Sequence, residues 1–179
     1  MRSRLSIKLA PLVILVSVVM PWFQTACKSG NAKVAPYPIS RLNPYRGAIK
    51  DLLPTEVGEY RLVDRQSLAE TGVELSNPVD GAGGIYNTPV NHTVQHLLVN
   101  FASATDANKE LDNDLKRYNA GNQKLALEEV KDVNGQVTGR KITVKNGDTE
   151  ALSWTNGSLY CSVVSYVGYS SEFARNLPY

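Results

Sequence analysis

The chain has 179 residues, with 19 Lys and Arg against 17 Asp and Glu, and a formal net charge of +2. This balance excludes the strongly basic field with which proteins attract nucleic acid. Only two cysteines are present, Cys27 and Cys161, which are too few to form a four-ligand zinc site by themselves.

The first 27 residues have the pattern of an export signal. Three cations, Arg2, Arg4 and Lys8, precede an uncharged apolar run that ends at Phe23, and small residues follow before Cys27. Cations, a short apolar run and small residues in this order are the three regions of a secretory signal peptide. We therefore predict that the rest of the chain is exported from the cytoplasm.

The end of this signal resembles the lipobox of bacterial prolipoproteins, in which a cysteine is lipidated and becomes the new N-terminus. Thr25, Ala26 and Cys27 match that motif, whereas Gln24 stands where the family usually has an aliphatic residue. The resemblance covers residues 1–27 only. It implies membrane attachment through acyl chains on Cys27, and two or more chains make a stable anchor. With Lys28 next, it implies the outer membrane where a second membrane exists, or otherwise the outer face of the cytoplasmic membrane.

Two alternatives remain open for this segment. Leu9 to Cys27 is 19 residues without a charge, close to the roughly 20 needed to span a bilayer, so the signal can instead stay as an uncleaved anchor. Ordinary cleavage near Gly30-Asn31-Ala32 would release a secreted protein. The N-terminal cations place the remainder outside the cytoplasm in either case.

Removal of the predicted signal peptide, residues 1–26, leaves 153 residues with 16 cations and 17 acids, a net charge of about −1. Residues 27–42 contain Pro36 and Pro38 and show no periodicity, so we predict an extended tether. We assign residues 43–179 to a single α+β domain, whose length suits one stable core.

The first part of this domain predicts short elements. Asn43-Pro44 begins a short helix that ends before Pro54, and Glu59–Arg65 alternates as a strand should. Residues 66–80 are predicted to form a loop. Gly81-Ala82-Gly83-Gly84 matches neither phosphate-binding glycine motif, so we interpret it as a loop or bulge with positive φ, followed by a short strand and turn at Ile85–Pro89.

The strongest strand pattern is Thr93–Phe101, and the strongest helix follows it. Ser103 and Asp106 stand in capping-box positions, and Gly121 is expected to end the helix. An apolar stripe recurs at helical spacing along this helix: Ala104, Ala107, Leu111, Leu115 and Tyr118.

Three Asn-Gly pairs, at residues 134–135, 146–147 and 156–157, predict tight hairpin turns. They separate four strands at about Leu125–Val133, Val137–Lys145, Thr149–Trp154 and Leu159–Val167. Ser170 is expected to begin a last short helix through Asn176. The predicted fold is an antiparallel sheet ending in a four-strand meander, with one long helix and short helices packed on one face. Its predicted core comprises Tyr60, Leu62, Leu97, Val99, Phe101, Leu111, Leu115, Ile142, Val144, Trp154, Val163 and Phe173.

The search for catalytic or metal-binding groups finds little. His92 lies just before and His96 within the predicted strand Thr93–Phe101, and in an extended chain they would be some 13 Å apart, at about 3.3 Å per residue. No glutamate stands between them, so we predict no metal site and interpret His96 as partly exposed. Cys161 is predicted to be a buried strand residue rather than a reactive thiol, although a Cys27–Cys161 disulfide is an alternative if Cys27 keeps its thiol. We predict no cofactor.

Tyr160, Tyr166 and Tyr169 are close in sequence and form a candidate binding surface, although aromatic residues are favoured in strands anyway. We hypothesise a non-catalytic envelope domain that binds a protein or polymer. The alternative is a carrier of a lipid or other apolar ligand in an enclosed cavity of at least about 300 Å³ between sheet and helix. A third hypothesis, an enzyme, needs a histidine beside a carboxylate or Cys161 in a cleft.

Overall fold

The computed structural model describes residues 45–119, 123–131, 134–166 and 168–179. The predicted signal peptide (residues 1–26), the lipidation residue Cys27, the tether (27–42) and the helix start at Asn43-Pro44 lie outside these residues. So do the predicted end of the long helix at Gly121 and the predicted strand ends at Val133 and Val167.

The domain is built on one eight-stranded antiparallel sheet with the strand order β1-β2-β3-β4-β8-β7-β6-β5. Two hairpin series, β1–β4 and β5–β8, each keep their chain order and meet where β4 pairs with β8. The strands are β1 (Glu56–Val57), β2 (Tyr60–Ser67), β3 (Asp80–Asn87), β4 (Thr93–Asn100), β5 (Lys124–Lys131), β6 (Val137–Asn146), β7 (Thr149–Asn156) and β8 (Leu159–Tyr166). The helical elements are a 3₁₀ helix (Ile49–Leu52), α1 (Leu68–Thr71), α2 (Ala104–Asn119) and α3 (Tyr169–Arg175).

The predicted α+β class and the four-strand meander are confirmed. β6 and β7 pair up to Asn146 and Thr149, and β7 and β8 up to Asn156 and Leu159, so the two-residue loops are tight. Gly147 and Gly157 have φ values of 58° and 59°. Asn146 and Asn156 are the last residues of β6 and β7 and do not have positive φ, so only the glycine of each pair adopts it. The two loop residues are Gly147-Asp148 and Gly157-Ser158, and glycine suits the first position of such a turn.

Helices cover both faces of the sheet, whereas the sequence predicted that they pack on one face. α2 and α1 cover the face on which Val99 and Tyr160 lie. The 3₁₀ helix and α3 cover the other face, with Leu98 and Cys161 beneath them. The reason lies in the central strands, because neighbouring residues of β4 and β8 are buried on opposite sides and each side needs an apolar cover.

Most of the predicted core is confirmed as buried: Tyr60, Val99, Phe101, Leu111, Ile142, Val144, Trp154, Val163 and Phe173. Leu62, Leu97 and Leu115 are partly buried and pack against the same clusters. The prediction omitted Tyr86, Val94 and Leu98, which are fully buried. They lie on the second covered face, which a sheet with helices on one side would expose.

The glycine run at 81–84 is not a loop, contrary to the prediction. All four residues lie in β3, paired with β2 or β4 on the flanking sides, and none has positive φ. A Cβ atom on Gly84 would stand 2.7 Å from Cε2 of Tyr86 and 3.0 Å from Cδ1 of Leu62. The glycine therefore makes room for side chains that pack across the strand.

The predicted loop at residues 66–80 contains the short helix α1. Both the backbone N–H and the hydroxyl of Ser67 donate to Oε2 of Glu70, each at 2.7 Å. This is the Ser-x-x-Glu capping box, a sequence signal that marks the start of α1. Gly72, with φ of 67°, ends the helix in the left-handed conformation.

Candidate functional site

A cleft of about 630 Å³ opens beside α3 on the sheet face that this helix shares with the 3₁₀ helix. Its floor comes from alternate residues of β6 and β7: Lys141, Thr143, Lys145, Glu150, Leu152 and Trp154. One wall is β5, through Ala126, Glu128, Glu129 and Val130, and the other is α3, through Ser171, Ala174 and Arg175. The site is thus formed where β5, the outermost strand, and the last helix flank an uncovered strip of sheet.

Ion pairs line the edges of the cleft. Nζ of Lys141 lies 2.6 Å from Oε2 of Glu128, and Nζ of Lys145 lies 3.3 Å from Oε1 of Glu150. Between these ion pairs the floor consists of Leu152 and Trp154, only 4% and 6% exposed, and of Thr143. The cleft therefore offers a mainly apolar strip between charged edges.

Glu150 holds α3 in place beside this cleft. Its Oε2 atom accepts hydrogen bonds from the backbone N–H of Gly168 (3.3 Å), and from the backbone N–H and hydroxyl of Ser171 (both 3.1 Å). Burial acts to raise the pKa of Glu150, but the bonds from Ser171 and the Lys145 ammonium outweigh it, so the pKa lies below its usual value. The carboxylate thus satisfies backbone donors at the start of α3.

Trp154 in the floor stacks against His96, which lies on the same face of the sheet. The two rings are stacked, with centroids 6.4 Å apart and an interplanar angle of 5°. His96 is 2% exposed, so the prediction of a partly exposed residue is wrong. Its Nδ1 atom donates to the Ser162 carbonyl at 3.1 Å, which leaves Nε2 to accept from the Tyr179 hydroxyl at 2.6 Å. Both ring nitrogens are therefore engaged.

We expect His96 to make the fold sensitive to acid. Burial lowers the pKa of His96 from its ordinary 6.5 to about 4. Between pH 4 and 6.5 the unfolded chain therefore binds more protons than the folded protein. The free energy of unfolding has its full value above pH 6.5 and falls as the pH drops toward 4. The two-and-a-half-unit difference corresponds to about 3 kcal/mol of unfolding free energy between pH 7.5 and 4.

Urea unfolding across this pH range measures the effect, and His96→Asn should flatten the profile. His92→Asn is the matched control. The ring of His92 stacks on Tyr169 with centroids 4.1 Å apart, and its Nε2 lies 3.0 Å from the Tyr169 hydroxyl. Equal pH slopes for the parent and His96→Asn would contradict the prediction.

The three tyrosines of the predicted binding surface lie in different surroundings. Tyr160 is 4% exposed and lies beneath α2, where its hydroxyl donates to the Asp114 carboxylate. Tyr166 is 63% exposed at the end of β8, and Tyr169 begins α3 against His92. Tyr160 therefore contributes nothing to an exposed surface, because it lies on a sheet face that a helix covers.

Cys161 is a free thiol at the centre of the sheet, with no exposed surface. Burial raises its pKa well above the usual value, which keeps the thiol protonated and unreactive. Cys27, the partner in the alternative disulfide, lies outside the described residues. No cluster of three metal-ligating side chains occurs in the part of the chain that the structure describes.

The sequence analysis did not predict a buried polar network that α2 forms on its sheet-facing side. Glu110 and Asp114 are 2% and 5% exposed, and both carboxylates bind the guanidinium of Arg117. Burial, and then the Asp114 charge, raise the pKa of Tyr160 well above its usual value. The i, i+4 and i+7 spacing of the three charged residues on one helix face was the available signal.

Comparisons with known proteins add no function. No protein-family model and no curated protein sequence matches the chain. Among solved structures, a GTP-binding regulator from Thermotoga maritima is similar, with a TM-score of 0.48 and 15% identity, covering 80% of this chain and 88% of that one. The extracellular domain of PknH from Mycobacterium tuberculosis has a TM-score of 0.42 and 12% identity, covering 81% and 96%. Neither likeness is close enough to support an argument about function.

The described residues also bear on membrane insertion. Within residues 45–119, 123–131, 134–166 and 168–179, no helix is both long and apolar enough to cross a bilayer.

Proposed function

We propose that this protein is an exported lipoprotein of the cell envelope, anchored in a membrane through lipid on Cys27. Its α+β domain binds a partner or ligand in the cleft beside α3 and performs no catalysis. The signal-like residues 1–27 support the anchor.

The cleft is the observation that carries the binding role. Concave sites with an apolar floor and a few polar groups are the usual form of ligand sites, and about 630 Å³ falls within their usual range of about 300–1,000 Å³. Among the described residues, no serine hydroxyl or cysteine thiol is hydrogen-bonded to a histidine ring. The histidines, serines and cysteine that the structure describes are therefore not arranged as a nucleophile with its base, and the cleft supports a binding role better than a catalytic one.

The carrier alternative is supported by the position of the cleft, which lies between the sheet and a helix. Its size exceeds the minimum of about 300 Å³ for that function. However, six charged side chains line the cleft, and it is open, whereas a carrier of a purely apolar ligand needs an enclosed apolar cavity. A ligand with both apolar and charged parts suits this lining better.

One experiment in the host tests both parts of the proposal, by chemical cross-linking in intact cells followed by membrane fractionation. Ala126→Trp fills the cleft from the exposed wall strand β5 and should abolish a cross-linked species that the parent forms. Leu127→Trp is the matched control, because this 50%-exposed neighbour lies on the opposite face of the same strand. The control should retain the species.

The Cys27→Ser variant of the full chain tests the anchor in the same experiment. Without a lipidated cysteine, the protein should leave the membrane fraction and lose its acyl mass. A variant that stays in the membrane would point to an uncleaved signal anchor instead. Equal cross-linking by Ala126→Trp and Leu127→Trp would place the binding role outside the cleft.

A further inference from the structure

The charges that line the cleft leave one cation unmatched. Every glutamate and lysine of the lining has an oppositely charged partner within 3.3 Å: Glu128 with Lys141, Glu129 with Lys131, and Glu150 with Lys145. Arg175 makes no ion pair with a described residue, and its one hydrogen bond there runs from Nε to the Ser171 carbonyl, at 3.2 Å. The cleft therefore presents a single uncompensated positive charge.

The free part of Arg175 has a defined recognition geometry. With Nε bound to Ser171, the two Nη groups of the guanidinium are left, at the wall that α3 contributes. A planar guanidinium binds a carboxylate through two parallel hydrogen bonds, which adds geometric selectivity to the charge attraction. One unmatched cation balances a monoanion and leaves a dianion such as a phosphate monoester partly unpaired.

The floor of the same cleft supplies the apolar part of the site. Trp154 lines it and is 6% exposed, and a tryptophan ring is a large apolar surface with a single polar atom. Leu152 in the floor and Ala126, Val130 and Ala174 in the walls offer apolar contacts around it.

We propose that the cleft binds a small amphipathic carboxylic acid, with its carboxylate on Arg175 and its aliphatic or aromatic body on the floor formed by Leu152 and Trp154. This inference rests on the proposed binding function and names the chemistry of its ligand. It also explains why the site is neither enclosed nor wholly apolar, since one end of such a ligand remains hydrated. The ligand buries its hydrocarbon part and keeps its charge paired at the rim.

Trp154 provides the measurement. The chain has two tryptophans, Trp22 and Trp154, and Trp22 lies in the predicted signal peptide. The lipoprotein that begins at Cys27, held in lipid nanodiscs, therefore has a single tryptophan, and it lies in the cleft. Trp22→Phe gives the same single tryptophan if the signal is retained. Octanoate should change the Trp154 fluorescence with a dissociation constant on the order of 1 mM or below. Empty nanodiscs correct for partitioning into lipid, and octan-1-ol is the uncharged probe of matched length.

We expect octanoate to bind at least about tenfold more tightly than octan-1-ol, and Arg175→Gln to remove that difference. Arg61→Gln is the matched control, because Arg61 is an exposed cation on β2 and outside the cleft. It should leave octanoate binding unchanged. Equal affinities for octanoate and octan-1-ol, or an octanoate affinity that Arg175→Gln leaves unchanged, would overturn the proposal.

Three further outcomes separate this inference from the proposed function. Binding of N-acetyl-leucyl-leucinamide, which has no carboxylate, but not of octanoate would overturn the carboxylic-acid ligand and leave a peptide site in the same cleft. If no probe binds but Ala126→Trp still abolishes the cross-linked species, the carboxylate inference fails and the binding function stands. If no probe binds and Ala126→Trp changes nothing, both fail.

Discussion

Replacing Gly139 with alanine should destabilise the domain by more than about 4 kcal/mol, which would leave little folded protein. A Cβ atom at this position of β6 would stand 2.6 Å from the carbonyl carbon of Thr155 in β7, and closer still to its oxygen. The obstacle is backbone, so no rotamer change can relieve it.

Thr155 has no room to retreat, since its side chain is held from two sides. Its hydroxyl accepts from the backbone N–H of Arg140 at 3.1 Å and donates to Oδ1 of Asn108 in α2 at 2.9 Å. The residue has no exposed surface. Moving β7 away from Gly139 would therefore also break the attachment of the long helix to the sheet.

Soluble yield and urea unfolding measure this effect, with Gly147→Asn as the control. Gly147 lies at the other end of β6, has φ of 58°, and its Cβ would meet no atom within 4 Å. Asparagine tolerates this backbone conformation, so the control should lose no more than about 1 kcal/mol. A Gly139→Ala protein as stable as Gly147→Asn would show that β6 and β7 are not so close here.

Arg117→Ala should lower the free energy of unfolding by about 3 kcal/mol or more at neutral pH. The guanidinium lies 2.9 Å from Oε1 of Glu110 and also binds Asp114. Both carboxylates are buried under α2, so removal of their cation leaves uncompensated charge in the interior. Lys116→Ala is the matched control, because Lys116 is an exposed neighbour on the same helix with no ion pair among the described residues.

A second variant distinguishes charge from packing. Arg117→Met keeps much of the side-chain length but removes the charge, so it should lose about as much stability as Arg117→Ala if the uncompensated carboxylates cause the loss. Recovery of most of the stability in Arg117→Met would assign the effect to lost packing.

Local signals predicted the elements that depend on neighbouring residues. The Asn-Gly pairs at 146–147 and 156–157 lie at the observed hairpins, because glycine readily adopts the positive φ that the first loop residue of each turn has. Ser103 and Asp106 begin the long helix, with the Ser103 hydroxyl accepting from the Asp106 N–H at 3.1 Å. The glycines of β3 were wrongly predicted to form a loop. A glycine can be required either because the backbone has positive φ or because neighbouring atoms leave no room for a side chain, and the second reason applies to Gly84.

Export, the tether and the lipid on Cys27 remain inferences from the order of residues in the chain, because a signal is recognised as a linear pattern. The binding cleft, by contrast, depends on the tertiary structure. It needs β5 at the sheet edge and α3 on a particular face of the sheet, which bring Arg175 into its wall and Trp154 into its floor. The pairing of β4 with β8 joins residues from Asn100↔Leu159, 59 apart in sequence, to Val94↔Ser165, 71 apart, and it decides which face each helix covers. The exposure of Tyr160 and of His96 depends on which helix covers each face, and no pattern in the neighbouring sequence determines this.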